Sequence, residues 1–268
     1  MLLLVVGLLP FDSGKTTVAK RMVEEMREAG IDVGVAKPVS SFNGWYHYEY
    51  LLKSIDMKLL VGRDALELHE AAGSTDPIEI ESPVTTLLIP PDPEKVGWAR
   101  WLYTNLGAFR QAAMLRITCS ERTEHYLIPE NVEVGIESLR EEVEELARLT
   151  EAKAVEASEI ESLLISARRA ADECLRLLNH EILVVESFSN VAAPTEASLN
   201  ADLVLLVAPG KIAVYDGDRY RRAVEIELKD PWLVVTEEVA QLLKPEATVS
   251  MRPGKMEVLK TLKKFLSI

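Results

Sequence analysis

The chain has 268 residues, enough for one large domain or two small ones with a substantial buried core. Apolar residues make up 48%, above the range of disordered chains, and the formal net charge is −13. An acidic surface repels nucleic-acid phosphates and anionic membranes, so neither is expected as a general partner.

Residues 2–6 are a short continuous apolar run, the pattern of a parallel strand covered on both faces. This apolar start has neither a basic leader nor a small-residue cleavage site, so it reads as a strand and not as a signal peptide. No apolar run reaches the ~20 residues that span a bilayer. Cys119 and Cys174 show no metal-ligand spacing and read as ordinary thiols of a reducing compartment. A cytoplasmic location is expected.

Residues 16–29 have helical periodicity, with Val18, Met22 and Met26 spaced four apart and Gly30 placed to stop the helix. Residues 32–39 read as a second strand ended by Pro38, which completes a βαβ unit. Helices are expected at 45–57, where Trp45, Tyr46, Tyr48 and Tyr50 cluster, and at 64–72. Five prolines within 77–95 predict loop. A helix is expected at 94–114 and a hairpin at 115–131. A long charged helical stretch at 137–178, broken near Thr150, reads as a solvated face.

Strand-like runs return at 181–186 and 201–208, and 212–214 extends the latter or starts a third strand. Further short strands are expected at 232–235 and 248–251, and an amphipathic helix at 256–265. Strands alternating with helices predict one α/β domain over 1–268 with a mostly parallel, doubly wound sheet and a mainly helical insertion at about 95–178.

The strand-to-helix segment reads Gly7-Leu8-Leu9-Pro10-Phe11-Asp12-Ser13-Gly14-Lys15-Thr16-Thr17. Such a junction offers backbone N–H groups and a positive helix end to phosphate oxygens. Asp12, Ser13, Gly14, Lys15, Thr16 and Thr17 are therefore the expected nucleotide contacts, with Lys15 reaching the β- and γ-phosphates and the Thr16 hydroxyl on Mg²⁺. The common pattern is Gly-x₄-Gly-Lys-Ser/Thr, and here Leu9 occupies the first glycine position, so the loop is a variant.

The sequence resembles dethiobiotin synthetase and its relatives at four separated places. Asp12 stands three before Lys15, where that family carries Glu. Lys37-Pro38-Val39-Ser40-Ser41 is similar to the family's Lys-Pro-Val-x-Ser. Asp64-Ala65-Leu66-Glu67-Leu68 looks like its Asp-Ala-Leu helix, with a proline-rich loop following in both. Val184-Val185-Glu186 resembles its Val-Glu strand end. The match covers roughly residues 1–90 and 180–210. Three departures stand against it: the turn Ser187-Phe188-Ser189-Asn190 is bulkier than the family's glycine-rich turn, Phe11 replaces a polar Thr, and the loop is one residue longer before Gly14.

The resemblance implies a three-layer P-loop NTPase fold and transfer of a γ-phosphoryl group to a small-molecule oxyanion. It implies Thr16, Asp64 and Glu186 as oxygen ligands of Mg²⁺, Lys37 as a second cation beside Lys15, and Ser40 and Ser41 as substrate contacts. Thr236 and Arg252 stand where the base would be flanked, and a homodimer is expected. ATP is the expected nucleotide, without excluding GTP. From the residues alone, Asp64 also reads as a helix cap, Glu186 as a surface carboxylate and the serines as turn residues. A second functional class, a nucleotide-driven switch acting on a protein partner through 134–178, stands beside the enzyme reading.

Overall fold

The computed structural model describes residues 1–101, 108–119, 122–252 and Phe265. In chain order its elements are β1 (Leu2–Gly7), α1 (Lys15–Glu28), β2 (Val33–Ala36), β3 (Val39–Asn43), α2 (Tyr48–Met57), α3 (Arg63–Ala72), α4 (Ile78–Glu81) and β4 (Val84–Leu88). These are followed by α5 (Ala108–Gln111), β5 (Ala112–Cys119), β6 (Arg122–Leu127), α6 (Pro129–Val134), α7 (Arg140–Leu149), β7 (Lys153–Ala154) and α8 (Ile160–Leu175). The chain then continues through β8 (Ile182–Glu186), β9 (Leu203–Ala208), β10 (Lys211–Asp216), α9 (Gly217–Ile226), α10 (Thr236–Leu242) and β11 (Ala247–Ser250).

The architecture is α/β, built on two mixed sheets in which parallel pairings predominate. The first sheet has the order β11-β10-β9-β1-β8-β2. Within it β1 pairs in parallel with both β8 and β9, and β2 pairs in parallel with β8. These strands are almost wholly buried, as the unbroken apolar runs at 2–6, 182–185 and 203–207 require of a sheet covered on both faces. Val18, Met22 and Met26 of α1 pack with Leu3, Val5 and Leu205 on one face. Leu4, Val6 and Leu206 pack with Tyr220 and Val224 of α9 on the other.

The second sheet, in the order β3-β4-β5-β6-β7, interrupts the first in sequence. The chain leaves β2, passes through Lys37 and Pro38, and enters β3 of the other sheet at once. It returns only with β8. The expected single strand over 32–39 is thus split between two sheets. Pro38 has no N–H to donate, and the Lys37 amide donates instead to the carbonyl of Glu81 at 2.8 Å.

Several expectations are corrected here. Residues 77–95 hold α4 and the buried strand β4 as well as loop, because Pro83 and Pro90 flank that strand without interrupting its ladder. The expected helix over 94–114 ends instead in β5, and residues 102–107 lie outside those described. Residues 95–178 supply the strands β5, β6 and β7 to the second sheet as well as the helices α5 to α8. The expected hairpin is the antiparallel β5–β6 pair. The stretch 137–178 does break after Leu149, giving α7 and α8. Neither helix is an arm: Val143 and Leu146 of α7 pack on Phe42 and Met114, and Ala167, Ala170 and Ala171 of α8 pack on Val84 and Leu115.

Residues 232–235 form no strand; Val235 makes a single bridge to Val191. Residues 212–214 belong to a third strand, β10, antiparallel to β9. The expected helix at 256–265 lies outside the described residues except for Phe265, which packs against the core beside α1. Among the described residues, no helix is long and apolar enough to cross a membrane.

Candidate phosphate-binding cleft

Three chain segments converge where β1, β8 and β2 end side by side. The β1–α1 loop leaves from Gly7, the turn 187–190 leaves from Glu186, and Lys37 leaves from Ala36. Ligands of open α/β sheets bind at this carboxyl edge. A cleft of about 640 Å³ opens here. Its walls include Asp12, Ser13, Gly14, Lys15, Thr16 and Thr17 from the loop, then Lys37, Ser40, Ser41, Asp64 and Glu186.

The loop folds on itself. Ser13 Oγ donates to the Leu9 carbonyl at 2.7 Å and accepts from the Leu9 amide at 2.9 Å, which fixes the span that lacks the usual glycine. Asp12 and Gly14 adopt φ of 55° and 87°, so the chain can turn sharply into α1. No side chain caps α1, and its first-turn N–H groups have no intrahelical acceptor. Gly7 has a separate role. A Cβ there would lie 2.7 Å from both Lys15 Nζ and Ser13 Oγ. Close passage of the Lys15 side chain over the backbone therefore requires glycine at this position.

Glu186 is the hub of the cleft. Its Oε1 accepts from Thr16 Oγ1 at 2.9 Å and from Lys37 Nζ at 2.6 Å. Lys37 also donates to the Ser187 carbonyl at 2.9 Å and lies 3.8 Å from Asp64 Oδ2. Glu186 is fully buried, and its Oε2 has no hydrogen-bond partner. Burial pushes its carboxyl above the usual range, and Lys37 works against that. Lys15 is held below the usual lysine range, chiefly by burial and then by the charge of Lys37. Its Nζ donates to the Ser189 carbonyl at 2.6 Å. Ser189 has φ of 48°, so the turn after β8 presents that carbonyl from a left-handed residue.

Asp64 is delivered by the first turn of α3, whose cap position is Gly62, so Asp64 does not cap the helix. Helix α3 is fastened to α1 by Lys20 Nζ on Glu67 Oε2 at 2.8 Å and by Leu68 and Ala72 in the shared core. Thr16, Asp64 and Glu186 present one hydroxyl and two carboxylates at one place, with a buried acceptor atom left over. That donor set suits Mg²⁺, which takes one or two carboxylates and completes its octahedron with water and phosphate oxygens. No cluster of three or more His, Cys, Asp or Glu suited to a metal occurs among the described residues, so a site held by protein ligands alone is not built here.

Two expected contacts are placed elsewhere. Thr236 is fully buried away from the cleft wall; its hydroxyl donates to the Gly7 carbonyl and to the Asn190 carbonyl, the latter at 3.1 Å. It braces the loop. Arg252 follows β11 at the same sheet edge but does not line the cleft. Ser40 is buried with its hydroxyl unpartnered, whereas Ser41 is exposed.

Two further groups on the wall were not singled out in the sequence, His47 and Arg63, whereas Phe188 belongs to the turn expected to be bulky. Arg63 pairs with Asp64 at 3.1 Å, and its Nη1 lies 3.5 Å from His47 Nε2. An arginine directly before the helical Asp64 was the available signal for it.

No family model matches the chain, and no curated protein or solved structure matches it at a significant level.

Proposed function

We propose that the chain is a P-loop nucleoside triphosphatase of three-layer fold that transfers the γ-phosphoryl group of ATP to a small-molecule oxyanion. One observation carries the reading: the Thr16 hydroxyl and the Lys37 ammonium meet on one oxygen of the buried Glu186, beside the uncapped start of α1. A helix start, a lysine at its first residue and a buried carboxylate next to a hydroxyl are the parts that position a triphosphate.

In this reading the loop N–H groups and Lys15 hold the phosphate chain. Thr16, Asp64 and Glu186 hold Mg²⁺, which when bound neutralises charge on the phosphate oxygens. Lys37 follows β2, on the opposite side of β8 from β1, and lines the same cleft as Ser41, His47 and Arg63. Its ammonium stabilises charge spreading over the transferring group and orients the acceptor. Phe11 and Phe188 line this cleft, where the resembling family carries a polar Thr and a glycine-rich turn, and this argues against the biotin precursor as the acceptor.

The switch reading has one observation in its favour. Lys15 donates to the Ser189 carbonyl, which links the lysine expected on phosphate to the turn 187–190. Phosphate release from ATP, measured alone and with a panel of small carboxylates and amines plus bicarbonate, tests the enzyme reading. Stimulation by a small molecule supports it. Stimulation only by a protein partner supports the switch.

A further inference from the structure

Across the second sheet, Ser40, Thr85, Arg116 and His125 sit directly opposite one another on successive strands β3, β4, β5 and β6. They therefore form one polar row on one face, and every member is buried. Arg116 has no exposed surface; one of its amino groups donates to the Ser82 carbonyl and to Thr85 Oγ1, the latter at 3.0 Å. At the far end of the row, His125 Nε2 accepts from the Leu60 amide at 3.2 Å. Leu60 lies in the linker between α2 and α3. The same linker is held at its next residue by Ser54, whose Oγ accepts from the Val61 amide at 3.1 Å and donates to the Tyr50 carbonyl at 2.8 Å. Gly62 follows against Ser40, where a Cβ would overlap the serine hydroxyl. Arg63 and Asp64 come next and line the cleft.

We propose that His125 is a positioning residue for the cleft: by accepting the Leu60 amide it sets the α2–α3 linker from the second sheet, and so the reach of Asp64. This rests on the reading of Asp64 as a ligand of the Mg²⁺ that accompanies the triphosphate. The bond requires a lone pair on Nε2, hence a neutral ring. Burial, and after it the charge of Arg116 in the neighbouring strand, bring the His125 imidazole down to about 4. Burial thus keeps the histidine in the form that can accept, and the arginine adds to it. A bond this far from the reacting atoms acts through geometry alone, as the outer partners of metal ligands do.

The test is calorimetric titration of the full chain with ATP, at a series of Mg²⁺ concentrations and in EDTA. His125→Phe keeps a planar ring and removes the acceptor. It is expected to raise the Mg²⁺ concentration for half-maximal ATP binding about tenfold or more, while affinity in EDTA stays within about twofold. His125→Gln restores an acceptor and is expected to recover the wild-type Mg²⁺ dependence. Asp64→Ala is the reference. If Asp64→Ala changes the Mg²⁺ dependence and a folded His125→Phe does not, the positioning role is overturned alone. If Asp64→Ala also leaves it unchanged, the metal-ligand reading fails and the positioning role with it. Should His125→Phe not fold, amide exchange of Leu60 in the wild-type protein decides. Protection like that of the β5 and β6 amides supports the role, and exchange like an exposed amide overturns it.

Discussion

Lys37 Nζ lies 2.6 Å from Glu186 Oε1, and both side chains are buried at the edge where two sheets meet. A buried pair of this kind is costly unless its remaining hydrogen-bonding capacity is used, and here one carboxylate oxygen has no hydrogen-bond partner. The pair therefore belongs to a site more readily than to a stabilising core. Lys37→Met is expected to lower phosphoryl transfer by about 100-fold or more while ATP affinity changes by less than about tenfold. Single-turnover rates and equilibrium titration on the same variant separate the two. Equal loss of both would assign Lys37 to binding.

The lysine reaches this place because Pro38 forces the chain out of the first sheet one residue later. That step was only partly legible in the sequence. The loop, its helix and the strand ends at Ala36 and Glu186 follow from apolar runs broken by Gly, Lys and Glu, and the structure brings all of them to one edge. The second sheet was hidden for a physical reason. Strands β3 and β4 each follow a proline, β7 is only two residues long, and Arg116 and His125 interrupt the apolar pattern that marks a buried strand. The bracing contacts of Thr236 were not legible, because a threonine at the start of a helix after an apolar run looks the same whether its hydroxyl faces a ligand or two carbonyls.

Thr236→Val separates those two roles. The variant keeps the shape and leaves the Gly7 and Asn190 carbonyls without their shared donor. A loss of about 1–3 kcal/mol is expected. That corresponds to a fall in Tm of about 2–4 °C per kcal/mol, visible by calorimetry. ATP affinity of the folded variant should stay within about threefold of wild type, since a lost contact worth 1 kcal/mol or more would exceed that ratio. Unchanged Tm with weakened nucleotide binding would instead place the hydroxyl on the base.

Gly7→Ala probes the close passage of Lys15. The added methyl would meet Lys15 Nζ and Ser13 Oγ at 2.7 Å. Lys15 Nζ is the end of a flexible side chain that can move, whereas Ser13 Oγ is tied to Leu9, so the ammonium is the group expected to be displaced. ATP affinity is expected to fall by about tenfold or more, consistent with loss of a charge-assisted contact. Retained affinity would mean that Lys15 does not need this path over the backbone.

His180 joins the start of β2 to the α3–α4 connection. Its Nδ1 is 2.8 Å from Asp32 Oδ1, and its Nε2 is 2.6 Å from Asp76 Oδ2. Burial pulls this imidazole down, but hydrogen bonds to the two carboxylates outweigh it and hold the ring above the usual histidine range. A raised histidine contributes stability that is full below its unfolded value, near 6.5, and is lost as pH climbs through the folded value. Thermal melts of wild type and His180→Phe are therefore expected to differ most near pH ~6 and to converge by about pH 9. A gap that widens with pH would contradict the two-carboxylate clamp. His69 on Glu81, at 2.7 Å, adds a wild-type slope of the same sign, which the variant retains.

The central claim is that the loop from Gly7 to Thr17 binds a triphosphate through Lys15. Isothermal calorimetry with Mg²⁺ and a non-hydrolysable ATP analogue measures it directly, on the wild type and on Lys15→Ala. The account predicts saturable one-site binding by the wild type and a loss of about 100-fold or more in the variant, the charge-assisted contacts of one buried lysine being worth about 3 kcal/mol. Equal affinity in the two proteins would contradict it.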